Sequence, residues 1–211
     1  VHGGIALNLF GGFHHAAPDS AGGFCAVNDI AVATAVLRNE GFRGRIVVID
    51  VDAHPPDGLA ACFRGDSSVW VGSISGESWG PLEGVDETVL PRGSEDRTYL
   101  CALDRMLSRM PRADFAFVIA GGDVVAGDRL GKLALTLEGA RRRDRMVLEA
   151  LGRVPSVWTA GGGYGRESWK VLAGTGLMLT CRSSNAIPPS YDPVSYTHLD
   201  TPTISSVYIH V

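Results

Sequence analysis

The sequence has no CxxC pair, and its four cysteines, Cys25, Cys62, Cys101 and Cys181, are scattered widely. That spacing gives no disulfide framework, so a reducing, cytoplasmic setting is expected. Basic residues do not dominate either. Nineteen Lys and Arg stand against 23 Asp and Glu, leaving a net charge of -4 and a pI near 5.8, which offers no broad basic surface for nucleic acid. No apolar run approaches the roughly 20 residues that cross a bilayer, so no membrane partner is expected. Phosphate loops are missing as well. Gly121-Gly122-Asp123 and Gly161-Gly162-Gly163-Tyr164-Gly165 are rich in glycine, but neither fits G-x-G-x-x-G or a P-loop, which removes a nucleotide-binding domain. There is no signal peptide and no opening methionine: Val1 leads straight into a short apolar strand at Ile5–Leu9. A chain that enters a domain part-way is therefore expected, with its first strands lying before Val1.

With 45% hydrophobic and 20% charged residues over 211 positions, the composition is that of one globular domain. Its organising stretch runs from Ile46 to Gly58. Ile46–Ile49 is β-branched throughout, as in a strand buried on both faces of a parallel sheet. It ends in Asp50, Asp52 and His54, alternating with Val51 and Ala53, and in extended chain that spacing sends the three polar side chains one way. A solvated acidic turn is the plain alternative. Against it stand three more strand ends that carry polar groups: His14 and His15 after Gly11-Gly12-Phe13, Asp123 after Phe115–Ala120, and Tyr164 after Ser156–Ala160.

Between the strands, helices are expected at Asp29–Asn39, Leu59–Phe63, Ser94–Met110 with Ser94 as N-cap, Thr136–Leu151 and Glu167–Leu179. Further strands are expected at Ser68–Ile74 and Thr88–Leu90, the latter inside a long loop over 75–93. The run Arg141–Arg145 reads as a solvated helix face. Alternating strands and helices predict a three-layer α/β fold, a mostly parallel sheet with helices on both faces. In such a sheet the carboxyl ends share one rim, where ligands bind. Two carboxylates and one imidazole, Asp52, His54 and Asp123, make a three-ligand set with a coordination position open, as catalytic divalent sites require. Zinc is the first choice of ion and iron(II) the second, because oxygen-rich ligation discriminates weakly between them.

These motifs, in this order, resemble the histone deacetylase superfamily, whose fold is the arginase-deacetylase α/β fold. The resemblance rests on Gly12-Phe13-His14-His15-Ala16, the stretch Gly22–Asp29, Asp50-Val51-Asp52-Ala53-His54, Gly121-Gly122-Asp123 with Gly127-Asp128-Arg129-Leu130-Gly131, and Gly161–Tyr164. Phe13 before the histidine pair and the single histidine of Asp52-Ala53-His54 are most similar to class IV deacetylases and their bacterial relatives. Most other members carry His-His-Gly-Asp-Gly where this chain has His54-Pro55-Pro56-Asp57-Gly58, a departure that changes the turn but keeps His54 and Asp57.

The resemblance implies zinc on Asp52, His54 and Asp123. It further implies that His14 and His15 flank the reacting water, oriented by Asp50 and Asp57 respectively, with His15 as general base. Tyr164 is implied as oxyanion donor, and Phe24, Leu130 and Gly162 as walls of a substrate channel. A potassium ion is implied near the backbone of Asp50, Asp52 and His54 and the Ser73 side chain. The expected activity is hydrolysis of an acyl group from an acylated lysine, on a protein, or from a small acylated amine as in acetylpolyamine amidohydrolases. A catalytically inert acyl-lysine or metal-binding relative is the alternative. Oligomeric state is not legible. The expected division is a partial catalytic domain over 1–182 and, over 183–211, a tail of different character. That tail contains Val194-Ser195-Tyr196-Thr197-His198-Leu199, which reads as adaptor-derived rather than evolved protein, so His198 and His210 receive no role.

Overall fold

The computed structural model describes residues 4–180, and the segment 183–211 lies outside them. Within them the chain alternates β1 (Ile5–Asn8), α1 (Asp29–Asn39), β2 (Ile46–Asp50), α2 (Asp57–Cys62), β3 (Val69–Ser75), β4 (Val85–Val89), α3 (Asp96–Arg109), β5 (Phe115–Ile119), α4 (Leu137–Leu151), β6 (Ser156–Thr159) and α5 (Ser168–Thr180). The strands form one sheet in the order β1-β6-β5-β2-β3-β4, and every pairing is parallel.

Burial on both faces explains the unbroken apolar strand at the centre. Ile46 and Val48 of β2 join Ile30 of α1 and Leu59 of α2 in one core cluster. Val47 and Ile49 join Leu103 and Met106 of α3, Val147 of α4 and Val171 of α5 in another. All four apolar side chains of β2 are completely buried, and each contributes about 1.5–3 kcal/mol by leaving water. Helices thus cover both faces of the sheet, as the pattern predicts.

Helix α1 starts at Asn28, whose side chain accepts from Ala31 N, and α4 starts at Thr136, whose hydroxyl accepts from Gly139 N at 2.9 Å. A side-chain cap of this kind contributes about 1 kcal/mol. Ser94 does not cap α3. Its hydroxyl donates to the Pro91 carbonyl at 2.7 Å, and Glu95 takes the cap position without a side-chain bond. The first turn is instead tied down by Asp96, which accepts from Thr136 N and Oγ1 and so joins the starts of α3 and α4. The strand expected at Thr88–Leu90 begins earlier, as β4, and pairs with β3 at the sheet edge.

The arginine run also departs from expectation. Arg143 and Asp144 are buried, on the inward face of α4 with Ala140, Val147 and Leu151. Spacings of three and four residues place all five on one side of the helix, and the run of charge hid that period.

This topology fixes the rim. From β2 the chain continues through α2 to β3, away from β5; from β5 it continues through α4 to β6, away from β2. The crevice between the carboxyl ends of β2 and β5 is therefore a switch point, the place where open parallel sheets bind ligands.

Candidate metal and catalytic site

The histidine turn follows β1, where Gly11 and Gly12 both take positive φ, 122° and 81°. A side chain at Gly12 would press to 2.7 Å from Thr159 Oγ1, so glycine is required there for space as well as conformation. Asp29, at the start of α1, accepts from the backbone N–H of Gly12 at 2.9 Å and of Phe13 at 2.8 Å. Asn28 donates to the Ala16 carbonyl at 3.0 Å. These two residues pin the turn from both ends, and His14 and His15 emerge with ring centroids 4.0 Å apart.

Each histidine is held by a carboxylate through Nδ1, at 2.6 Å in both cases: His14 by Asp50 and His15 by Asp57. His14 Nε2 also lies 3.7 Å from Asp52 Oδ1. Burial alone would lower the His14 pKa, but the charges of Asp50 and Asp52 and the Asp50 hydrogen bond raise it to about 9.

Asp52, His54 and Asp123 are all buried, and one ligand atom from each lies within 4.8 Å of the others. His54 Nδ1 sits 3.1 Å from Asp52 Oδ1 and 2.8 Å from Asp123 Oδ2. The second of these contacts is not aligned as a hydrogen bond, so Asp123 Oδ2 is a buried oxygen without one. Such an atom is costly unless a cation meets it. The remaining ligand oxygens are oriented by backbone donors: Asp123 Oδ1 accepts from Ala53 N at 3.0 Å, Asp52 Oδ1 from His54 N at 3.0 Å, and Asp52 Oδ2 from Gly162 N at 2.6 Å. Two carboxylates and an imidazole, converging in a buried pocket, fit a divalent ion.

Without an ion the set binds protons in its place. Burial opposes a charged His54, yet the carboxylates of Asp123 and Asp52, both close to its Nδ1, raise it to about 10. Burial, then the charge of Asp52, pushes Asp123 up. Burial opposes ionisation of Asp52 too, but His14 and His54 hold its carboxyl below the usual range.

Tyr164 is half-buried at the rim, its ring 6.3 Å from His54 and 5.9 Å from Phe24. Burial, followed by the charges of Asp52 and Asp123, pushes its hydroxyl up to about 12, so it is a proton donor at neutral pH. Asp128 accepts from Tyr164 N, Leu130 N, Gly131 N and Ser168 Oγ, which fixes the tyrosine loop. Phe24 is 83% exposed and Leu130 38% exposed, as suits lining at an open mouth. Gly162 is half-buried beside them; its N–H donates to Asp52 Oδ2, and a Cβ there would approach Asp123 Oδ2 at 2.7 Å. Ser73 is buried in β3, in register with Asp50, with its hydroxyl 3.3 Å from Ser75 Oγ.

Several site residues escape a reading of the sequence. Trp79, in the loop after β3, lays its ring 5.0 Å from His15 and 6.3 Å from His54. Glu77 Oε1 lies 3.9 Å from His54 Nε2. Asp29 and Asp128 were available as part of the Gly22–Asp29 and Gly127–Gly131 motifs, but nothing local in those motifs marked them as anchors.

Both the sequence and the fold have counterparts among known proteins. A profile of the histone deacetylase domain matches residues 1–175. This chain belongs to the histone deacetylase family. It is similar to an uncharacterized protein of Picosynechococcus sp., 38% identical over 173 residues, covering 78% of this chain and 57% of that one. Among solved structures it is similar to an HDAC homolog complexed with SAHA, with TM-score 0.71 and 29% identity over 83% of this chain and 51% of that one. An acetylpolyamine aminohydrolase from Burkholderia pseudomallei superposes with TM-score 0.70 and 27% identity, over 84% of this chain and 56% of that one. The chain spans about half the length of the curated relatives it matches. Among the described residues no helix is long and apolar enough to cross a membrane.

Proposed function

We propose that this chain carries the catalytic centre of a zinc-dependent hydrolase that removes an acyl group from an acylated lysine or a related amine. The observation that carries the reading is the convergence of two His-carboxylate dyads, at 2.6 Å each, on a buried three-ligand pocket with an unsatisfied oxygen. Asp52, His54 and Asp123 hold the ion, and iron(II) is compatible with the same donors. When bound, the ion supplies the Lewis acidity that polarises an acyl carbonyl and acidifies a water.

The chain's own groups do the rest. His15, held by the half-exposed Asp57, takes a proton from the attacking water and returns it to the departing amine as the C–N bond breaks. His14, locked against Asp50 at 2.6 Å, flanks the reacting water beside His15. Tyr164 donates its hydroxyl hydrogen to the oxyanion. Phe24, Trp79 and Leu130 supply apolar walls for the stem of the acylated amine. A potassium ion behind the pocket is supported by the buried Ser73 alongside Asp50.

The small acylated amine is a second reading within the same chemistry. Glu77 favours it, because its carboxylate at the edge of the pocket attracts a second ammonium group on the substrate. Metal analysis of the purified protein, with turnover of acetyl-lysine peptide and N-acetylated polyamine compared side by side, tests both. Metal at one equivalent per chain with hydrolysis of either substrate is the expected result. Metal binding without turnover of any acylated amine would show the inert relative instead.

A further inference from the structure

Arg143 is a charged group that this chemistry does not use. It projects from α4 into the core with no exposed surface, and Asp144 beside it is 1% exposed. Arg143 Nε donates to Asp144 Oδ1 at 2.8 Å, and the Asp144 carboxylate accepts from Thr175 Oγ1 of α5 at 2.5 Å. Arg143 Nη1 donates twice, to the Val51 carbonyl at 3.0 Å and to the Gly121 carbonyl at 2.6 Å. Those two carbonyls stand just beyond the ends of β2 and β5, the strands that deliver Asp52 and Asp123.

The same two peptide units lead on to the site. The N–H of the Val51–Asp52 unit donates to Asp50 Oδ1 at 3.1 Å. The N–H of the Gly121–Gly122 unit donates to the Gly162 carbonyl at 2.6 Å, and Gly162 N donates in turn to Asp52 Oδ2 at 2.6 Å. One guanidinium therefore terminates a short hydrogen-bond chain that ends on the partner of His14, and through the Gly121–Gly122 unit it ties down Gly162, whose own N–H orients a metal ligand. Hydrogen bonds in such chains polarise one another and stiffen the whole.

Stability alone is a poor reason for a charge at this place. Burying an ion costs several kcal/mol, and a buried pair replaced by well-packed apolar side chains is often no less stable. Moreover, Arg143 Nη2 has no partner among the described residues. What the guanidinium does satisfy are the two carbonyls that set how the ends of β2 and β5 face each other.

We propose that Arg143, braced by Asp144 and Thr175, is a positioning residue that locks the ends of β2 and β5 so that Asp52 and Asp123 meet the ion in fixed geometry. The proposal rests on the metal reading of Asp52, His54 and Asp123 and is independent of the reaction catalysed.

The test is zinc affinity by chelator competition, together with the visible spectrum of cobalt(II) bound in place of zinc, in Arg143→Met and in the milder Thr175→Val. Arg143→Met should weaken zinc binding by roughly 10–100-fold, the usual consequence of losing an outer support of a metal site. Thr175→Val should weaken it less, and both should displace the cobalt bands. A folded Arg143→Met with wild-type zinc affinity and an unchanged cobalt spectrum overturns the proposal, because a purely structural role would move the unfolding midpoint and leave the metal alone. Should Arg143→Met fail to fold, Thr175→Val decides by the same two measurements. If the unsubstituted protein binds no zinc or cobalt, the metal site itself falls and takes this proposal with it.

Discussion

The Nδ1 of His14 lies 2.6 Å from Asp50 Oδ2, at a point where the two side chains are 4% and 0% exposed. The neighbouring pair, His15 and Asp57, has the same separation, but the Asp57 side chain is 44% exposed. One dyad is therefore sealed into the protein while the other faces water on its carboxylate side. Asp50 also accepts from Asp52 N at 3.1 Å, so it supports a metal ligand as well as a histidine. Asp50→Asn should disturb both, lowering metal content and turnover together. Asp57→Asn should leave metal content and unfolding midpoint unchanged and lower kcat by on the order of 10², as expected when a general base loses its orienting partner. Equal metal loss in the two variants would contradict this division of labour.

A second prediction concerns the metal-free protein and its pH dependence. His14 is raised to about 9 and His54 to about 10, in each case by carboxylates that outweigh the effect of burial. A histidine whose folded-state pKa is raised above the unfolded value of 6.5 stabilises the fold fully below that value and loses the contribution as pH rises through the folded pKa. Asp123 is shifted up as well, and its effect has the same sign. The stability of metal-free protein should accordingly fall between about pH 6.5 and 10, as read from urea denaturation at several pH values. Zinc takes over from the protons when it binds, so the slope should flatten in zinc-loaded protein, and zinc uptake near pH 7 should release protons. A metal-free protein whose stability rises across that window would refute the assigned shifts.

Removal of a ligand gives a third prediction. Asp123→Ala deletes the buried oxygen that lacks a hydrogen-bond partner and leaves one carboxylate and one imidazole. Two side chains do not hold a divalent ion firmly against water, so zinc by atomic absorption should fall below one equivalent and hydrolysis should vanish. The fold should survive, because the substitution also removes the repulsion between Asp123 and Asp52. Retention of a full equivalent of zinc would place the ion elsewhere.

Much of this architecture is visible in the chain itself because parallel strands buried on two faces advertise themselves. Ile46–Ile49 and Phe115–Ala120 could be nothing half-exposed, and polar residues directly after them had to fall on a common rim. Helix α1 matches its expected span, Asp29–Asn39, since both of its ends carry local signals, Asn28 as cap and Gly41 beyond the end. What stayed hidden depends on contacts between distant parts of the chain. Arg143 finds the Val51 carbonyl 92 residues away, and Asp128 holds Tyr164 N across 36 residues. Trp79 belongs to a loop with no period to read, and its place over His15 follows only from the path of the chain between β3 and β4. Ser94 misled because it falls one residue before the cap position, which Glu95 occupies, and its hydroxyl donates back to the Pro91 carbonyl.

The last prediction separates an enzyme from a binding protein through Tyr164. Its backbone is fixed by Asp128, at 2.7 Å from Tyr164 N, and its ring lies at the rim, 5.9 Å from Phe24 and 6.3 Å from His54. A half-buried ring that belongs to neither core cluster does little for the core. Its hydroxyl keeps its proton at neutral pH, being pushed up to about 12 by burial and by the nearby carboxylates. A donor of this kind matters where negative charge develops, in the transition state, and the loss of one such hydrogen bond costs ~10²–10³ in kcat. Tyr164→Phe should therefore retain zinc and its unfolding midpoint, bind a substrate analogue with nearly unchanged affinity, and lose most of its kcat with little change in KM. If the variant turns over acyl-lysine at the wild-type rate, the hydroxyl takes no part in the reaction. If its KM rises while kcat holds, Tyr164 serves binding and the oxyanion must be met by another group.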